Sequence, residues 1–172
     1  MIRVSDDGCG IPADEVEVAF ARHATSKLQT VEDLDHIRTL GFRGEALASI
    51  AAVSQLTLLT RAEGEQAGTR VRLDGTRIVR REPFGAPRGT TVSVENLFFN
   101  VPARLEFLRS DATERKHIDA LVTRYAMAYP DLRFSLENDD RLTFHSPGSG
   151  ALYDVLVEFF GLEIAQAMIA IG

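Results

Sequence analysis

Three short stretches hold residue types able to do chemistry. The first, DDGCGI from Asp6 to Ile11, sets a carboxylate ahead of two glycines, directly after the short alternating run IRVS. A carboxylate oxygen only accepts hydrogen bonds, so a buried Asp6 selects a ligand's amino group, such as that of adenine. The glycines let a ring approach the backbone, or simply supply the positive φ of a turn. A calcium loop needs a carboxylate at its first position and a Glu at its twelfth. Aligning Gly8 with the fixed glycine of such a loop places Arg3 and Asp14 there, which disfavours calcium.

The second stretch is GFRGEAL, Gly41 to Leu47. No Gly-Lys pair occurs in the chain, so it is not a Walker A loop. It nevertheless combines glycines, an arginine and a helix N-terminus, the ingredients of a phosphate site built from main-chain N–H groups. The third, Thr25-Ser26-Lys27, supplies hydroxyls and one of only two lysines, the other being Lys116. A lone lysine is most often a solvated charge, and a glycine-bounded loop most often only a turn.

These stretches need elements to position them. IRVS reads as a strand entering the first turn, with Pro12 suited to the first position of a helix, PADEVEVAFARHA, that follows. TVEDLDHIRTL repeats the helical design, with Thr30 as N-cap, Asp33 at the capping-box spacing and Leu34, Ile37 and Leu40 facing inward. GFRGEALASIAAV is a turn feeding a helix. The period then falls to two in QLTLLTRA, GTRVRLDG, TRIVRRE and GTTVSVENL, a mostly antiparallel meander of strands. PARLEFLRS and ATERKHIDALVTRYAMAY read as helices, and LRFSLEND with RLTFHS as a hairpin. PGSG marks the expected boundary between a first domain, 1–148, and a linker helix with the start of a second, 149–172.

The chain of 172 residues, 45% hydrophobic and 26% charged, has the composition of a folded domain. Its net charge of -6 excludes a protein held to nucleic acid by bulk charge, although a local basic patch remains compatible. The hairpin around Arg70, Arg72, Arg80 and Arg81 is one such patch, and Arg104, Arg109, Arg115 and Lys116 form another. Both are equally read as solvated faces. Cys9 is the single cysteine, which rules out an intrachain disulfide and fits a reducing, cytoplasmic setting. His23, His36, His117 and His145 are scattered and are read as packing or surface residues.

In order and spacing, DDGCGI, RHATSK, GFRGEALASI, GTTVSV, LFFNVPAR and FLRS resemble the N-terminal ATPase region of the MutL mismatch-repair proteins, a branch of the GHKL ATPases. The resemblance implies an α+β fold, a two-layer sandwich with helices on one face of a mixed, largely antiparallel sheet. It implies an ATP site in which Asp6 receives the adenine amino group, Gly10 makes room for the base and Thr90 supports both. Thr25, Ser26 and Lys27 belong to the lid, and Gly41, Phe42, Arg43, Gly44, Glu45, Ala46 and Leu47 wrap the phosphates. Implied partners are ATP, DNA contacted through its phosphates, the mismatch-recognition protein MutS, downstream repair enzymes and a second copy in a homodimer. The implied setting is the cytoplasm of a bacterium, at the nucleoid.

The family's general-base Glu, followed four residues later by a magnesium-binding Asn, has no counterpart here. Asn96, Asn100 and Asn138 are preceded at that spacing by Val92, Asn96 and Phe134. The expectation is thus a piece of a MutL protein truncated before that motif, with no catalytic and no metal-binding residue of its own. Loss of the base alone costs on the order of 10²–10⁴-fold in rate. Two alternatives stay open: a GHKL ATPase of another branch, such as a topoisomerase or histidine kinase, and a non-enzymatic degenerate module.

Overall fold

A computed structural model describes residues 1–21 and 44–169. The chain divides into two compact units, Met1–Phe107 and Leu108–Gly172. The expected break at PGSG instead lies inside the second unit, because that turn is tied back into it. Gly150 N donates to the Pro130 carbonyl at 3.0 Å, and the buried Ser146 hydroxyl accepts from Phe134 N at 3.0 Å.

The first unit is built on a sheet of β1 (Ile2–Asp6), β2 (Gln55–Arg61), β3 (Gly68–Asp74), β4 (Arg77–Phe84) and β5 (Gly89–Glu95). The spatial order is β1-β5-β2-β3-β4, and every pairing among the described residues is antiparallel. The meander therefore holds only from β2 to β4. Then β5 crosses back to the far side of β2 and pairs with β1.

Register determines what each face carries, since paired residues share a face. The rows Val4–Val92–Leu58–Val71 and Ile2–Val94–Leu56–Leu73 make one face apolar. Leu56, Leu58, Val71 and Leu73 are buried with Val16 and Ala51, and Ile11, Phe20 and Leu47 pack against them. Ala51 and Leu47 come from α1 (Ala46–Ala52), and Val16 and Phe20 from the segment after β1. The other face carries Arg3, Ser5, Thr57, Ser93, Arg70, Arg72, Arg80 and Glu82. This is the expected α+β arrangement, with helical segments on one side of a largely antiparallel sheet.

Two helices differ from expectation. The stretch from Pro12 forms a turn and a short 3-10 segment, Val18–Phe20, in place of the start of an α-helix. The Ala13 carbonyl, which would accept the Glu17 N–H, instead takes a bond of 2.6 Å from Arg81 Nη2, and Ala13 N donates to Glu65 Oε1 at 2.8 Å. Contacts from the sheet thus outcompete the helical repeat. PARLEFLRS forms only α2 (Pro102–Leu105), because Ser110 turns extended, with ψ 148, to start the next helix. The expected helix TVEDLDHIRTL, with Thr30, Asp33, Leu34, Ile37 and Leu40, lies outside the described residues, as do His23 and His36.

The second unit contains α3 (Asp111–Ala128), the hairpin β6 (Ser135–Asn138) and β7 (Arg141–His145), α4 (Leu152–Phe160) and α5 (Leu162–Ala167). Asp111 and Glu114 lie in the first turn of α3, where the helix dipole favours acids. Asp139 and Asp140, at φ 48 and 59, make the two-residue turn of the hairpin. Among the described residues no helix is long and apolar enough to cross a membrane.

Candidate nucleotide site

Asp6 is the last residue of β1 and stands opposite Thr90 of β5, which in turn stands opposite Thr60 of β2. Thr69 of β3 continues the row. These four residues share the apolar face, one step beyond the rows of Val and Leu. At this end of the sheet the core side gives way to a carboxylate and hydroxyls.

The turn after β1 is held by bonds between its main chain and side chains. Gly8 N donates to Asp6 Oδ1 at 2.9 Å, a turn closed by the Asp side chain itself. Asp6 is exposed, so the buried carboxylate expected from the sequence is instead an accessible one. Arg88 Nε donates to the Gly8 carbonyl at 3.1 Å. Ile11 N donates to Thr60 Oγ1 at 2.8 Å, and Glu65 bridges Ala13 N and Ala62 N through its two oxygens, at 2.8 and 3.2 Å.

Two glycines let these strands and turns approach so closely. At Gly10, φ is +72 and a Cβ would lie 2.1 Å from the Arg61 carbonyl oxygen. The close neighbour of Gly10 is thus the end of β2, where the sequence pointed to a ligand ring. At Gly89, φ is +114 and a Cβ would lie 2.1 Å from the Asp6 carbonyl oxygen.

Of the other expected site residues, Gly44 has φ 63 and Glu45 caps α1, whose first residue is Ala46. Leu47 packs on the core, so its side chain is structural and only its main chain is free for a ligand. Leading N–H groups of a helix have no intrahelical acceptor and are the donors a phosphate would meet. Thr25, Ser26, Lys27, Gly41, Phe42 and Arg43 lie outside the described residues. A groove of about 240 Å³ is lined by Gln55, Arg72, Leu73, Asp74, Val79 and Arg80, and one of about 120 Å³ lies beside Phe20 and Ala51. Neither is lined by Asp6, Gly10 or Thr90.

The basic hairpin splits between the two faces. Arg70 and Arg80 both pair with Glu82, and Arg70 also sits over the Phe84 ring at 4.0 Å. Hydrogen bonding from Arg70, then from Arg80, outweighs partial desolvation and holds the Glu82 carboxyl below its usual range. Arg81 is on the opposite face and binds Glu17 at 2.7 Å. Only Arg72 of the four is left without an ion pair among the described residues. In the second unit Arg115 pairs with Asp139 at 2.6 Å. Among the described residues no group of three or more His, Cys, Asp or Glu is placed to hold a metal.

Sequence reasoning missed Thr60 and Glu65, and read Arg81 only as part of a basic patch or solvated face, where it binds Glu17 and the Ala13 carbonyl. Thr60 did leave a signal, because it occupies the third inward position of β2 after Leu56 and Leu58, where a hydroxyl must find partners.

The chain matches no family model. It is 49% identical over 171 residues to the DNA mismatch repair protein MutL of Desulforamulus reducens, and 44% identical over 171 residues to that of Halothermothrix orenii. Each match covers 99% of this chain and 27% of the relative, so the chain spans about a quarter of their length. The Aquifex aeolicus MutL ATPase domain, solved as a complex with ADP, is 31% identical with a TM-score of 0.71, covering 92% of this chain and 56% of that one. The N-terminal domain of a DNA repair protein is 26% identical with a TM-score of 0.73, covering 92% and 47%. Neither a topoisomerase nor a histidine kinase gains support from these relatives. At close to half identity over nearly its whole length, joined to the shared fold, the chain is homologous to about a quarter of the length of the DNA mismatch repair proteins named MutL.

Proposed function

We propose that this chain forms the adenine nucleotide pocket of a MutL protein. In the whole protein, ATP binding and hydrolysis would close and reopen a dimer in the cytoplasm, coupling a MutS-type mismatch-recognition partner to DNA and to downstream repair enzymes. The observation that supports it best is the row Asp6–Thr90–Thr60, set in register at the mouth of a turn that Gly10 lets approach the end of β2. An exposed carboxylate beside a hydroxyl suits an exocyclic amino group. The main chain of Gly44, Glu45, Ala46 and Leu47, at the start of α1, suits phosphate oxygens. Thr25, Ser26, Lys27, Gly41, Phe42 and Arg43 complete the proposed pocket.

Magnesium, when bound with ATP, would polarise the phosphates and offset their charge. The Glu and Asn pair that would activate water and hold the ion is not among these 172 residues, since no Asn has a Glu four positions before it. The 172 residues alone are therefore proposed to bind nucleotide without turnover. The protein's contact with DNA is assigned to phosphates, with Arg72 as the hairpin arginine that has no ion pair among the described residues.

Calorimetric titration with ATP and ADP tests the reading. Binding is expected, and Asp6→Ala should weaken it about tenfold or more, the range of a hydrogen bond to a charged group. Unchanged affinity in Asp6→Ala, or magnesium-dependent hydrolysis by the 172 residues alone, contradicts it.

A further inference from the structure

We infer, resting on the DNA reading above, that the outer face of the first unit's sheet is a docking surface for the phosphate backbone of duplex DNA, centred on Arg72 and Arg80. Paired residues share a face, so the register lines up Arg3, Ser93, Thr57, Arg72 and Arg80 in one row across all five strands. The next row is Ser5, Thr91, Leu59, Arg70 and Glu82. These two rows set four arginines against one carboxylate, in a chain whose net charge is -6.

A regular hairpin would not bring Arg72 and Arg80 together. From the turn, Asp74 faces Arg77 and Leu73 faces Ile78. Continued unbroken, that register would set Arg72 opposite Val79, and Arg80 opposite the buried Val71 on the core face. The register instead shifts between Arg72 and Leu73. Val79 is the residue left over, and Arg80 turns outward to stand opposite Arg72. Like charges directly opposite on neighbouring strands destabilise a sheet. Glu82 offsets only one of the two, since its Oε2 takes Arg80 Nε at 2.8 Å while its Oε1 takes Arg70 Nε at 2.7 Å. Arg72 is exposed and has no ion pair among the described residues. An unfavourable pair held in place by a strand irregularity marks a site whose balancing charge comes from outside the chain.

The charge that fits is a phosphodiester. Arg72 and Arg80 line the groove of about 240 Å³, and Thr57 and Ser93 continue the row with hydroxyls. Arg3 ends it three strands from Arg72, about 14 Å away. Arginines and hydroxyls are the groups that hold phosphate oxygens along a duplex without reading its bases. Phe84 is the only aromatic residue in the five strands, and Arg70 lies over its ring at 4.0 Å. The ring that an unpaired base would stack on is thus already engaged by a cation, which favours duplex over single strand. Glu82 holds two of the four arginines and so competes with a phosphate for them.

Fluorescence anisotropy of a short labelled duplex, titrated with the full chain across a salt series, tests the surface. The slope of log affinity against log salt counts neutralised phosphates, at about 0.9 per contact. Arg72→Gln and Arg80→Gln should each lower that slope by about one, and duplexes of unrelated sequence should bind alike. Glu82→Gln should tighten binding roughly tenfold near about 50 mM salt, the effect of one further ionic contact, and a misfolded variant would give no such gain. Glu137→Gln removes the same charge from the second unit and should leave binding unchanged. Parental slopes in both arginine variants, a loss confined to Arg104→Gln and Arg109→Gln, or equal tightening by Glu137→Gln overturns this surface while leaving DNA binding intact. Retention of polyglutamate that depends on Arg72 and Arg80, without binding of the duplex, makes the partner an acidic protein and overturns the assignment to DNA. A parent chain that binds neither overturns the DNA reading and the surface with it.

Discussion

Gly10→Ala separates two costs that a glycine substitution usually confounds. At φ +72 an alanine incurs the left-handed backbone penalty of about 1–2 kcal/mol. Its Cβ would also lie 2.1 Å from the Arg61 oxygen, 2.5 Å from the Arg61 carbonyl carbon and 2.8 Å from Ala62 N, all main-chain atoms. Ordinary contact begins at 3.4 Å, so the turn and the end of β2 must part by roughly 1.3 Å, the difference between that and 2.1 Å. Overpacking of this kind costs about 1–3 kcal/mol more. Gly64 supplies the control, with φ +84 and nothing within 4 Å of an added Cβ.

The expectation is therefore a loss of about 2–5 kcal/mol for Gly10→Ala and about 1–2 kcal/mol for Gly64→Ala, read from urea unfolding followed by circular dichroism. Tyrosine fluorescence is the wrong probe, because Tyr125, Tyr129 and Tyr153 all lie in the second unit. Amide exchange should place the Gly10→Ala loss at Ile11, whose N–H is held by Thr60. Equal losses in the two variants, within about 0.5 kcal/mol, would refute the packing of the turn against β2.

Other outcomes follow from single contacts. Leu58→Ala removes a fully buried side chain from the core of the first unit and should cost about 2–5 kcal/mol in the same urea assay. Arg81→Ala loses the bonds to Glu17 and to the Ala13 carbonyl; local amide exchange around Ala13 to Glu17 should quicken, with a global loss of only about 1 kcal/mol. Glu82 has its carboxyl lowered in the folded state, chiefly by Arg70, so its contribution is present above the unfolded carboxyl value of about 4.3 and is lost as pH falls through the lower folded value. Glu82→Gln should flatten the acid limb of the stability curve below about pH 4 while leaving its shape above pH 6 unchanged.

Much of this molecule can be read from local pattern alone. The period of two in QLTLLTRA and GTRVRLDG marked β2 and β3 because alternation of apolar and polar residues is itself what a half-buried strand requires. The family resemblance carried by DDGCGI and GTT implied that Asp6 and Thr90 work together, and the register sets them opposite each other. The order and spacing of the motifs pointed to the MutL proteins, and relatives near half identity over nearly the whole chain carry that name. What local pattern could not carry was any fact requiring two distant segments to meet. The crossing of β5 between β1 and β2, the capture of Ala13 by Arg81 and Glu65, and the Arg61 carbonyl against Gly10 all join segments that lie far apart in the chain. Arg80 and Arg81 are adjacent in sequence yet face opposite sides of the sheet, so one joins the Glu82 cluster and the other clamps a turn. Thr60 shows the division most plainly: its position was set by the period of the strand, but its three hydrogen-bond partners, Ile11 N, the Gly89 carbonyl and the Thr90 hydroxyl, are brought to one oxygen only by the folded sheet.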